Sequence, residues 1–594
     1  MSVKQAKSKS RQDVVIPVST WRYRLVGAGF FLAFVSLVVR AAYLQVIDAQ
    51  YLHEQGKARY LRVQIEHPNR GMILDRHGQP LAISTPVDSI WMVPNSLLES
   101  RRSSQLKQLA TLLETSVAAI VTQAESRRGR QFEYLKRHVA PDTARQIKAL
   151  GIAGVNVVRE YKRFYPAGPV FGHVLGFTDI DGVGQEGVEL AFESRLRGSP
   201  GRTRVLRNAA GQVVEHVERI DQVQHGESIT LSLDARIQYL AYRALQTATN
   251  RHGAMNASLV ALDAKSGEIL AMVSAPDFNP NNRADLDSNR FRNRAIGDAY
   301  EPGSTMKPFS VAMVLEQGEY TQTSLIDAEQ GRFKIGAHEI SDTKKLGEIS
   351  VSEVVSKSSN IGAAKLAMSQ PVGKLLATYQ QLGFGQSSQI GLLGEQSGLL
   401  PDRRQWRPSE HATLAYGYGL SATSLQLARA YTALTNQGEL LPVSLLPQQQ
   451  QQRRKKVFSK ATVAAVNAML EQAVSQAGTA PKARVDQFRV AGKTGTAHRV
   501  VKGEYQDDSY MSLFAGFAPA SNPDIIMVVA INDPKSVDYY GGLVAAPVFQ
   551  EVMSSALRLR NVLPDAIQVD EPVPELMITR PLQSVSAINQ GGGQ

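Results

Sequence analysis

The sequence predicts a multidomain α+β protein with a single N-terminal transmembrane helix. Three observations predict this class. The chain has 594 residues, of which 43% are hydrophobic and 20% charged, enough for about three to four domains with ordinary cores. An uncharged apolar stretch follows a basic N-terminus. In the C-terminal half, strand patterns near both ends enclose a long region of helical patterns, which predicts an antiparallel sheet with a helical region inserted.

The first element is a membrane anchor. Leu25–Val39 contains no charged residue, and after Arg40 the apolar pattern resumes as far as Ile47. A helix from Leu25 to Ile47 would be about 34 Å long, and a bilayer core is about 30 Å thick. Residues 1–24 contain six basic residues and one acid, so the positive-inside rule predicts a cytoplasmic N-terminus and an exported remainder. A cleaved signal peptide is the alternative, but the long apolar core favours an uncleaved anchor.

Composition narrows the possible chemistry. The chain contains no cysteine, which excludes disulfides and thiolate metal sites. Its 11 histidines show no metal-ligand spacing, and we predict neither a metal nor a cofactor. The net charge of +12 suits either nucleic acid or anionic lipid and cell-wall polymers. No nucleic-acid-binding motif accompanies the basic runs, so we predict membrane association and no nucleic-acid partner.

The patterns divide the chain into five predicted segments. These are a cytoplasmic tail at 1–24, a transmembrane anchor at 25–47, a first exported module at 48–225, a second at 226–560 and a C-terminal tail at 561–594. In the first module, Gln105 to Ala153 has helical periodicity and predicts a helical lobe. A glutamine-rich run after Pro447 predicts a surface loop.

The second module begins with Asp234, a predicted cap for a helix that runs through Thr247. Ser258–Leu262 and Ile269–Ala275 then predict a hairpin around a Lys-Ser-Gly turn. Met511–Ala518 and Ile525–Ile531 predict strands that adjoin the strand carrying Lys493. The predicted helices that carry Ser304, Ser358 and Gln426–Thr435 lie between these strands in sequence.

One short segment has the chemistry of an activated nucleophile. In Ser304-Thr305-Met306-Lys307, a hydroxyl precedes an amine by three residues at the start of an apolar helix, so both side chains share one face. Serine is a poor nucleophile unless a neighbouring base takes its proton. The same S-x-x-K pattern also occurs at Ser104 and Ser341, so by itself it would indicate only a solvated helix face.

Two further motifs make the interpretation specific. Ser358-Ser359-Asn360 and Lys493-Thr494-Gly495-Thr496 follow the nucleophile segment in that order. Each alone could be a turn, a helix cap or a strand end. Together, S-x-x-K, S-x-N and K-T-G are typical of penicillin-recognising serine enzymes. The chain resembles the penicillin-binding proteins, which transfer an acyl group from a peptide ending in D-Ala-D-Ala.

The resemblance implies four catalytic residues. Ser304 would attack the carbonyl of the penultimate D-Ala, and Lys307 would be the base. Burial and a second cation, Lys493, would lower the pKa of Lys307 from its ordinary value of about 10.4. Ser358 would relay a proton to the leaving amine. The backbone N–H groups of Ser304 and Thr496 would stabilise the oxyanion.

The resemblance to the penicillin-binding proteins also implies a set of substrate-binding residues. Asn360 would hold an amide of the donor peptide. Thr494 and Thr496, with Lys493, would bind its terminal carboxylate. Gly495 would leave room for the acyl chain because it has no Cβ. No residue is predicted to bind a metal.

Within the family, the chain resembles the class B proteins. Residues 70–78, 159–176 and 184–189 resemble motifs of an elongated, mostly β, non-catalytic pedestal of the dimerisation type, and no glycosyltransferase module precedes them. The resemblance then implies a transpeptidase domain with helices on both sides of its sheet. Tyr539-Tyr540-Gly541-Gly542 and the residues around Asn360 resemble the division-specific FtsI branch.

The resemblance to that branch implies an inner-membrane enzyme of septal peptidoglycan synthesis, with a periplasmic catalytic domain. It would crosslink lipid-linked or nascent stem peptides, react with β-lactams, and work with an FtsW-type glycan polymerase and other division proteins. The alternatives are an elongation-type class B transpeptidase, a membrane-bound β-lactam sensor, a β-lactamase and a non-enzymatic scaffold. The short N-terminal tail argues against the sensor, and the intact motifs argue against the scaffold.

Overall fold

The computed structural model describes residues 20–51, 54, 61–99, 103–207, 213–282, 289–448, 454–501 and 504–566. Most of the predicted cytoplasmic tail, most of the C-terminal tail and most of the glutamine-rich run lie outside the described residues. The chain divides into two compact units. The first comprises residues up to 68 with 198–225, and the second comprises 69–197 with the remainder from 226.

The first unit contains the predicted apolar helix. It runs as an α-helix over Thr20–Ala42 and continues in π-helical form over Tyr43–Ile47. Its 28 residues extend for about 42 Å, longer than a bilayer core of about 30 Å. The described helix includes the five residues before the predicted Leu25, because hydropathy detects only the apolar part of a helix. The unit also contains a three-stranded antiparallel sheet, in the order Leu61–Glu66, Gly201–Arg207 and Val213–Asp221.

The second unit begins with the pedestal sheet. Its strands follow the order Glu133–Val139, Pro80–Met92, Ile73–Leu74 and Ile229–Thr230, and Val155–Phe164 also pairs with Pro80–Met92. The helices of this region are Pro94–Glu99, Ser103–Leu112, Val117–Ser126, Pro141–Ala149, Gly172–Leu175, Gly187–Ala191 and Glu193–Leu196.

One sequence prediction is right only in part here. The predicted helical lobe from Gln105 to Ala153 contains a strand, Glu133–Val139, between two of its helices. The strand is rich in charged residues and has no periodicity that identifies it. It forms because its backbone pairs with Asp88–Met92, which is a tertiary interaction.

Buried ion pairs connect the pedestal segments. Glu189, which is fully buried, accepts from Arg70 Nε at 2.7 Å and from Arg163 Nε at 2.6 Å. Arg70 also donates to Glu193 at 2.6 Å, and Arg163 donates to the carbonyl of Gly71 at 2.8 Å. Buried charges are stable only when paired and hydrogen-bonded in this way.

A second large sheet, formed by residues between 256 and 532, has five antiparallel strands. Their order is Ile269–Ala275, Asn256–Asp263, Ile525–Asn532, Glu504–Ala518 and Ala491–Val501. The strands at 256–263, 269–275 and 525–532 are buried along their whole length, because helices cover both faces. Helices Ala235–His252 and Gly541–Leu559 pack on one face, and Ser424–Thr435 packs on the other.

A helical region separates the strand at 269–275 from the strand at 491–501. Its helices are Arg294–Gly297, Lys307–Glu316, Val351–Ser356, Asn360–Met368, Val372–Gln381, Pro408–Leu414, Ser424–Thr435 and Lys460–Val474. Two-stranded antiparallel sheets within it pair Leu325–Asp327 with Glu348–Ser350, Arg332–Ile335 with His338–Ser341, and Glu439–Leu440 with Lys455–Lys456. The predicted fold class, an antiparallel sheet with helices on both sides and an inserted helical region, is confirmed.

Candidate active site

The predicted nucleophile lies in a short 3₁₀ turn. Gly303–Met306 forms this turn and leads directly into the helix Lys307–Glu316. Gly303 has φ 55°, a conformation that favours glycine, and its N–H donates to the carbonyl of Gly417 at 3.2 Å. A Cβ on Gly417 would lie 2.1 Å from the oxygen of Gly303. Two glycines therefore allow the Ser304 turn to lie against the segment Gly417-Tyr418-Gly419.

Lys307 occupies the first turn of that helix and is fully buried. Its Nζ donates to the carbonyl oxygen of Ser358 at 2.6 Å and to Oδ1 of Asn360 at 2.8 Å, and it lies 3.1 Å from Oγ of Ser358. Among the hydrogen bonds of the described residues, none joins this amine to the Ser304 hydroxyl. The structure thus brings S-x-x-K and S-x-N together through Lys307.

Ser358 has an unusual backbone conformation. It connects the helices Val351–Ser356 and Asn360–Met368 with φ 63°, which is strained for a residue with a Cβ. Ser359 caps the second helix by accepting from the N–H of Gly362 at 2.9 Å. This tight junction directs both the carbonyl and the hydroxyl of Ser358 toward Lys307.

Asp342 is a functional residue that the sequence reasoning missed. Its carboxylate accepts from the N–H of Asn360 at 2.5 Å, from the N–H of Ile361 at 3.2 Å and from the hydroxyl of Ser359 at 2.5 Å. A carboxylate at a helix N-terminus is favourable because it meets unpaired N–H groups and the positive end of the dipole. In the sequence, Asp342 lies within the S-x-x-K match at Ser341, which by itself indicates only a solvated helix face. No other pattern distinguishes Asp342 as a functional residue.

Asn360 holds the site together through both ends of its amide. Its Oδ1 accepts from Lys307, and its Nδ2 donates to the carbonyl of Ser341 at 3.0 Å. One Nδ2 hydrogen remains available for a ligand. The predicted role in holding a substrate amide therefore depends on this single donor.

Lys493 brings the third motif to the same point. It is fully buried on the strand Ala491–Val501, and its Nζ donates to Ser358 Oγ at 2.9 Å and to the carbonyl of Thr494 at 3.1 Å. Thr494 Oγ1 also donates to Thr479 Oγ1 at 3.1 Å. Thr496 Oγ1 accepts from the N–H of Gly541 at 3.1 Å, which leaves its hydrogen for a ligand.

The structure gives a different explanation for the glycine at position 495 from the one that the sequence suggested. A Cβ at this position would lie 3.0 Å from the carbonyl oxygen of Pro302, 3.0 Å from Thr305 Cγ2 and 3.1 Å from Leu513 Cβ. The missing side chain allows the strand to approach the Ser304 turn. It does not create open space for an acyl chain.

Burial determines the protonation of the two lysines. It lowers the pKa of Lys307 well below its usual range, the positive charge of Lys493 lowers it further, and Asp342 opposes both effects. Burial lowers the pKa of Lys493 to about 7. Desolvation disfavours an ammonium group, so burial favours the neutral form of Lys307.

Five of the predicted site residues line one cleft of about 800 Å³. Ser304, Ser358, Asn360, Thr494 and Thr496 all lie on its wall. Stacked tyrosine rings form the far side: the ring centroids of Tyr510 and Tyr539 are 4.1 Å apart, and those of Tyr539 and Tyr540 are 4.5 Å apart. His498, on the strand Ala491–Val501, is half-buried and lies on the same wall. The cleft combines the hydroxyls of Ser304 and Ser358 with an aromatic wall, and two buried lysine amines contact the Ser358 hydroxyl.

Comparison with protein families identifies two domains. Residues 257–554 match the model of the penicillin-binding protein transpeptidase domain, which contains all three motifs. Residues 65–231 match the model of the penicillin-binding protein dimerisation domain.

Similar proteins extend over nearly the whole chain. The peptidoglycan D,D-transpeptidase FtsI of Escherichia coli (strain K12) is 38% identical over 592 residues, covering 99% of this chain and 98% of its own. The probable peptidoglycan D,D-transpeptidase PenA of Neisseria gonorrhoeae is 39% identical, covering 92% of this chain and 94% of its own. The crystal structure of penicillin-binding protein 3 from Mycobacterium tuberculosis with aztreonam has a TM-score of 0.66 at 26% identity, covering 84% of this chain and 98% of its own.

Proposed function

The chain belongs to the penicillin-binding proteins with a dimerisation domain and a transpeptidase domain, and we propose that it is a septal peptidoglycan D,D-transpeptidase of the FtsI type. The observation that carries this proposal is the meeting of Lys307 and Lys493 at the hydroxyl of Ser358, in the cleft that contains Ser304. Relatives that are named D,D-transpeptidases and cover nearly all of the chain support it.

Acylation is the first half of the proposed reaction. Ser304 Oγ attacks the carbonyl carbon of the penultimate D-Ala, and its proton passes to the neutral amine of Lys307. The backbone N–H groups of Ser304 and Thr496 stabilise the oxyanion. The C–N bond then breaks, and Ser358 passes a proton to the leaving amine of the terminal D-Ala. Lys493, with the hydroxyls of Thr494 and Thr496, binds the carboxylate of that residue.

Deacylation reverses these roles with a second peptide. The amine of an acceptor stem attacks the ester carbon of the acyl-enzyme, a new amide bond forms, and the ester bond to Ser304 breaks. The acceptor's proton returns through Ser358 and Lys307 to the serine oxygen. A β-lactam enters the same first step, because its strained amide carbonyl and its carboxylate occupy the positions of the donor peptide.

Membrane attachment follows from the N-terminal helix Thr20–Ile47. We propose that its basic N-terminal side is cytoplasmic and that both exported domains act in the periplasm. In this position the enzyme would meet lipid-linked or nascent stem peptides. An FtsW-type glycan polymerase and other division proteins are the proposed partners.

Labelling with a fluorescent penicillin tests the catalytic assignment. Ser304→Ala in the full-length protein should abolish covalent labelling while the thermal unfolding midpoint stays within a few degrees. Ser104→Ala is the matched control, since Ser104 occupies the same S-x-x-K pattern on the exposed side of the helix Ser103–Leu112. Labelling that persists in Ser304→Ala would refute the assignment.

Complementation separates septal from lateral function. Expression of the wild-type gene in cells depleted of their division transpeptidase should restore normal cell length, and Ser304→Ala should leave filaments. Rescue of an elongation-defective strain instead would favour the elongation-type alternative.

A further inference from the structure

An apolar groove lies apart from the catalytic cleft. Its volume is about 870 Å³, and it shares no lining residue with the cleft. The pedestal contributes residues 79–81 and residues between 166 and 171 to the lining. Two long helices contribute the rest, Ala235–His252 through its first two turns and Gly541–Leu559 through its last turns. An occupant of this groove would therefore contact the pedestal and both helices at once.

The walls of the groove are mostly apolar. Leu81 and Phe171 are buried and Leu240 is half-buried, whereas Tyr239 is 51% exposed. An exposed tyrosine within an apolar patch is typical of a binding surface, because its ring offers both apolar area and a polar hydroxyl. The groove thus suits an apolar peptide segment.

The charges of the groove select for an acidic segment. The two charged residues that the structure places in its lining are both arginines. Arg236 pairs with Asp234 at 2.8 Å. Arg558 is exposed in the last turn of its helix, and among the described residues its side chain has no ion pair and no hydrogen bond. A carboxylate beside the apolar walls would match this guanidinium.

The C-terminal tail contains a peptide of this composition. Residues 570–578 have the sequence Asp-Glu-Pro-Val-Pro-Glu-Leu-Met-Ile, which combines three acids with an apolar run. Prolines favour an extended conformation before binding, so less entropy is lost when such a segment docks. Aromatic-lined grooves are a common site for extended segments that contain proline.

The tail begins close enough to reach the groove. The last described residue, Ala566, donates its N–H to the carbonyl of Gln487 at 3.1 Å. Seven residues separate it from Leu559, which lines the groove, so the two lie at most about 25 Å apart. The ten residues from Ala566 to Leu576 extend up to about 36 Å. The apolar run of the tail can therefore return to the end of the helix.

We propose that residues 570–578 of this chain dock in the groove, with Leu576, Met577 and Ile578 against its apolar wall and Glu575 at Arg558. A segment joined to its site by a short stretch of chain has an effective concentration on the order of millimolar, so even a weak contact keeps the groove occupied. The docked tail braces the pedestal against the two helices. The proposal does not depend on the transpeptidase function.

Cysteine crosslinking tests the docking, because the chain contains no cysteine of its own. Ser555→Cys in the groove is combined with Met577→Cys in the tail, and the full-length protein in detergent is treated with a short bismaleimide reagent. Lys482→Cys with Met577→Cys is the control pair. Lys482 is exposed and lines a pocket with Gln487, to which Ala566 is bonded, so an undocked tail would reach it at least as readily.

The groove pair should give at least fivefold more crosslink within one chain than the control pair, measured by mass spectrometry of the digested protein. Arg558→Glu should lower the groove crosslink at least fivefold, because it places a carboxylate opposite Glu575. Adding Glu575→Arg to that protein should restore the crosslink, since the charges are then exchanged. Arg404→Glu is the control for charge reversal, because Arg404 is exposed and lies outside the groove, and it should change nothing.

Three results would overturn the proposal. These are equal crosslinking of the groove and control pairs, a groove crosslink that Arg558→Glu leaves unchanged, and crosslinks only between two chains, which would assign the groove to a second copy. Detergent in the groove would give the first of these results. Thermal unfolding verifies the fold of each variant.

Labelling with a fluorescent penicillin keeps the two proposals separate. The groove shares no residue with the cleft, so every variant should label as the wild type does. Labelled protein without the selective crosslink refutes the docking alone. Wild-type protein that does not label refutes the proposed function, and the crosslinking result still decides the docking.

Discussion

The amines of Lys307 and Lys493 both lie within hydrogen-bond distance of the same oxygen, Oγ of Ser358, at 3.1 and 2.9 Å. Two of the other groups around the Lys307 amine, the Ser358 carbonyl and Asn360 Oδ1, can only accept hydrogen bonds. A neutral amine has two hydrogens for these two acceptors, and its lone pair then faces a hydroxyl. The contacts thus match an uncharged Lys307 and a charged Lys493, with Ser358 between them as a proton carrier.

Replacement of Lys307 by arginine tests the need for a neutral amine. Arginine stays protonated in proteins, so it cannot take the Ser304 proton. Lys307→Arg should lower the acylation rate by about 10²–10⁴, the usual contribution of a general base. The measurement is the second-order rate with fluorescent penicillin, with thermal unfolding to verify the fold.

Lys307→Met is a second test in case the larger arginine side chain prevents folding. This variant should show the same loss of acylation. Lys365→Arg is the control, because Lys365 lies on the neighbouring helix and pairs with Glu329 at 2.6 Å. An acylation rate of Lys307→Arg within fivefold of the wild type would contradict the base assignment.

Lys493 should make stability depend on pH. Its pKa is about 7 in the folded protein and about 10.4 in an unfolded chain. Between these values the unfolded state binds one more proton, so the free energy of unfolding rises with pH by up to about 1.4 kcal/mol per unit. The gain is absent below pH 7, where both states are protonated.

Lys493→Met removes this titration. The difference in unfolding free energy between the wild type and the variant, from urea denaturation in detergent, should be constant below pH 7 and should increase toward pH 10. Parallel curves across the whole range would show that Lys493 is not desolvated as described.

Gly495→Ala tests the close approach of the strand to the nucleophile. The added Cβ would lie 3.0 Å from the carbonyl oxygen of Pro302, so the turn and the strand must separate by a few tenths of an ångström. Small displacements of reacting groups are costly in catalysis, about 10²-fold for 1 Å. We expect acylation to fall by about 10-fold or more with little change in the thermal midpoint.

Gly373→Ala is the matched control, because a Cβ there meets no atom within 4 Å. If Gly495→Ala acylates at the wild-type rate, the space beside the strand is open, as the sequence interpretation supposed.

The sequence predicted the elements of the second module well. The predicted strands Met511–Ala518 and Ile525–Ile531 lie within the observed strands, and Asp234 caps the predicted helix by accepting from the N–H of Arg236 at 3.0 Å. These signals are local: apolar runs, a capping side chain and a turn. The meeting of Ser304, Ser358 and Lys493 was predicted from the family resemblance that the three motifs carry.

Other features depend on contacts between distant segments and have no local signal. Asp342 acts on a helix that begins 18 residues later, and the strand Glu133–Val139 exists because Pro80–Met92 offers a partner. Glycine is required at position 495 because the strand lies against the carbonyl of Pro302, almost 200 residues earlier in the chain. Glycine in a strand indicates a close approach, but the sequence does not state what approaches.

Glu189 in the pedestal should matter for stability and not for chemistry. It is fully buried between Arg70 and Arg163, so Glu189→Gln leaves two buried guanidiniums without their shared carboxylate. Breaking a buried pair from one side costs about 3–5 kcal/mol. We therefore expect a large fall in the unfolding free energy, measured by urea denaturation. Glu227→Gln, which removes the exposed partner of Arg195, is the control and should change little, and a Glu189→Gln protein as stable as this control would contradict the bracing role.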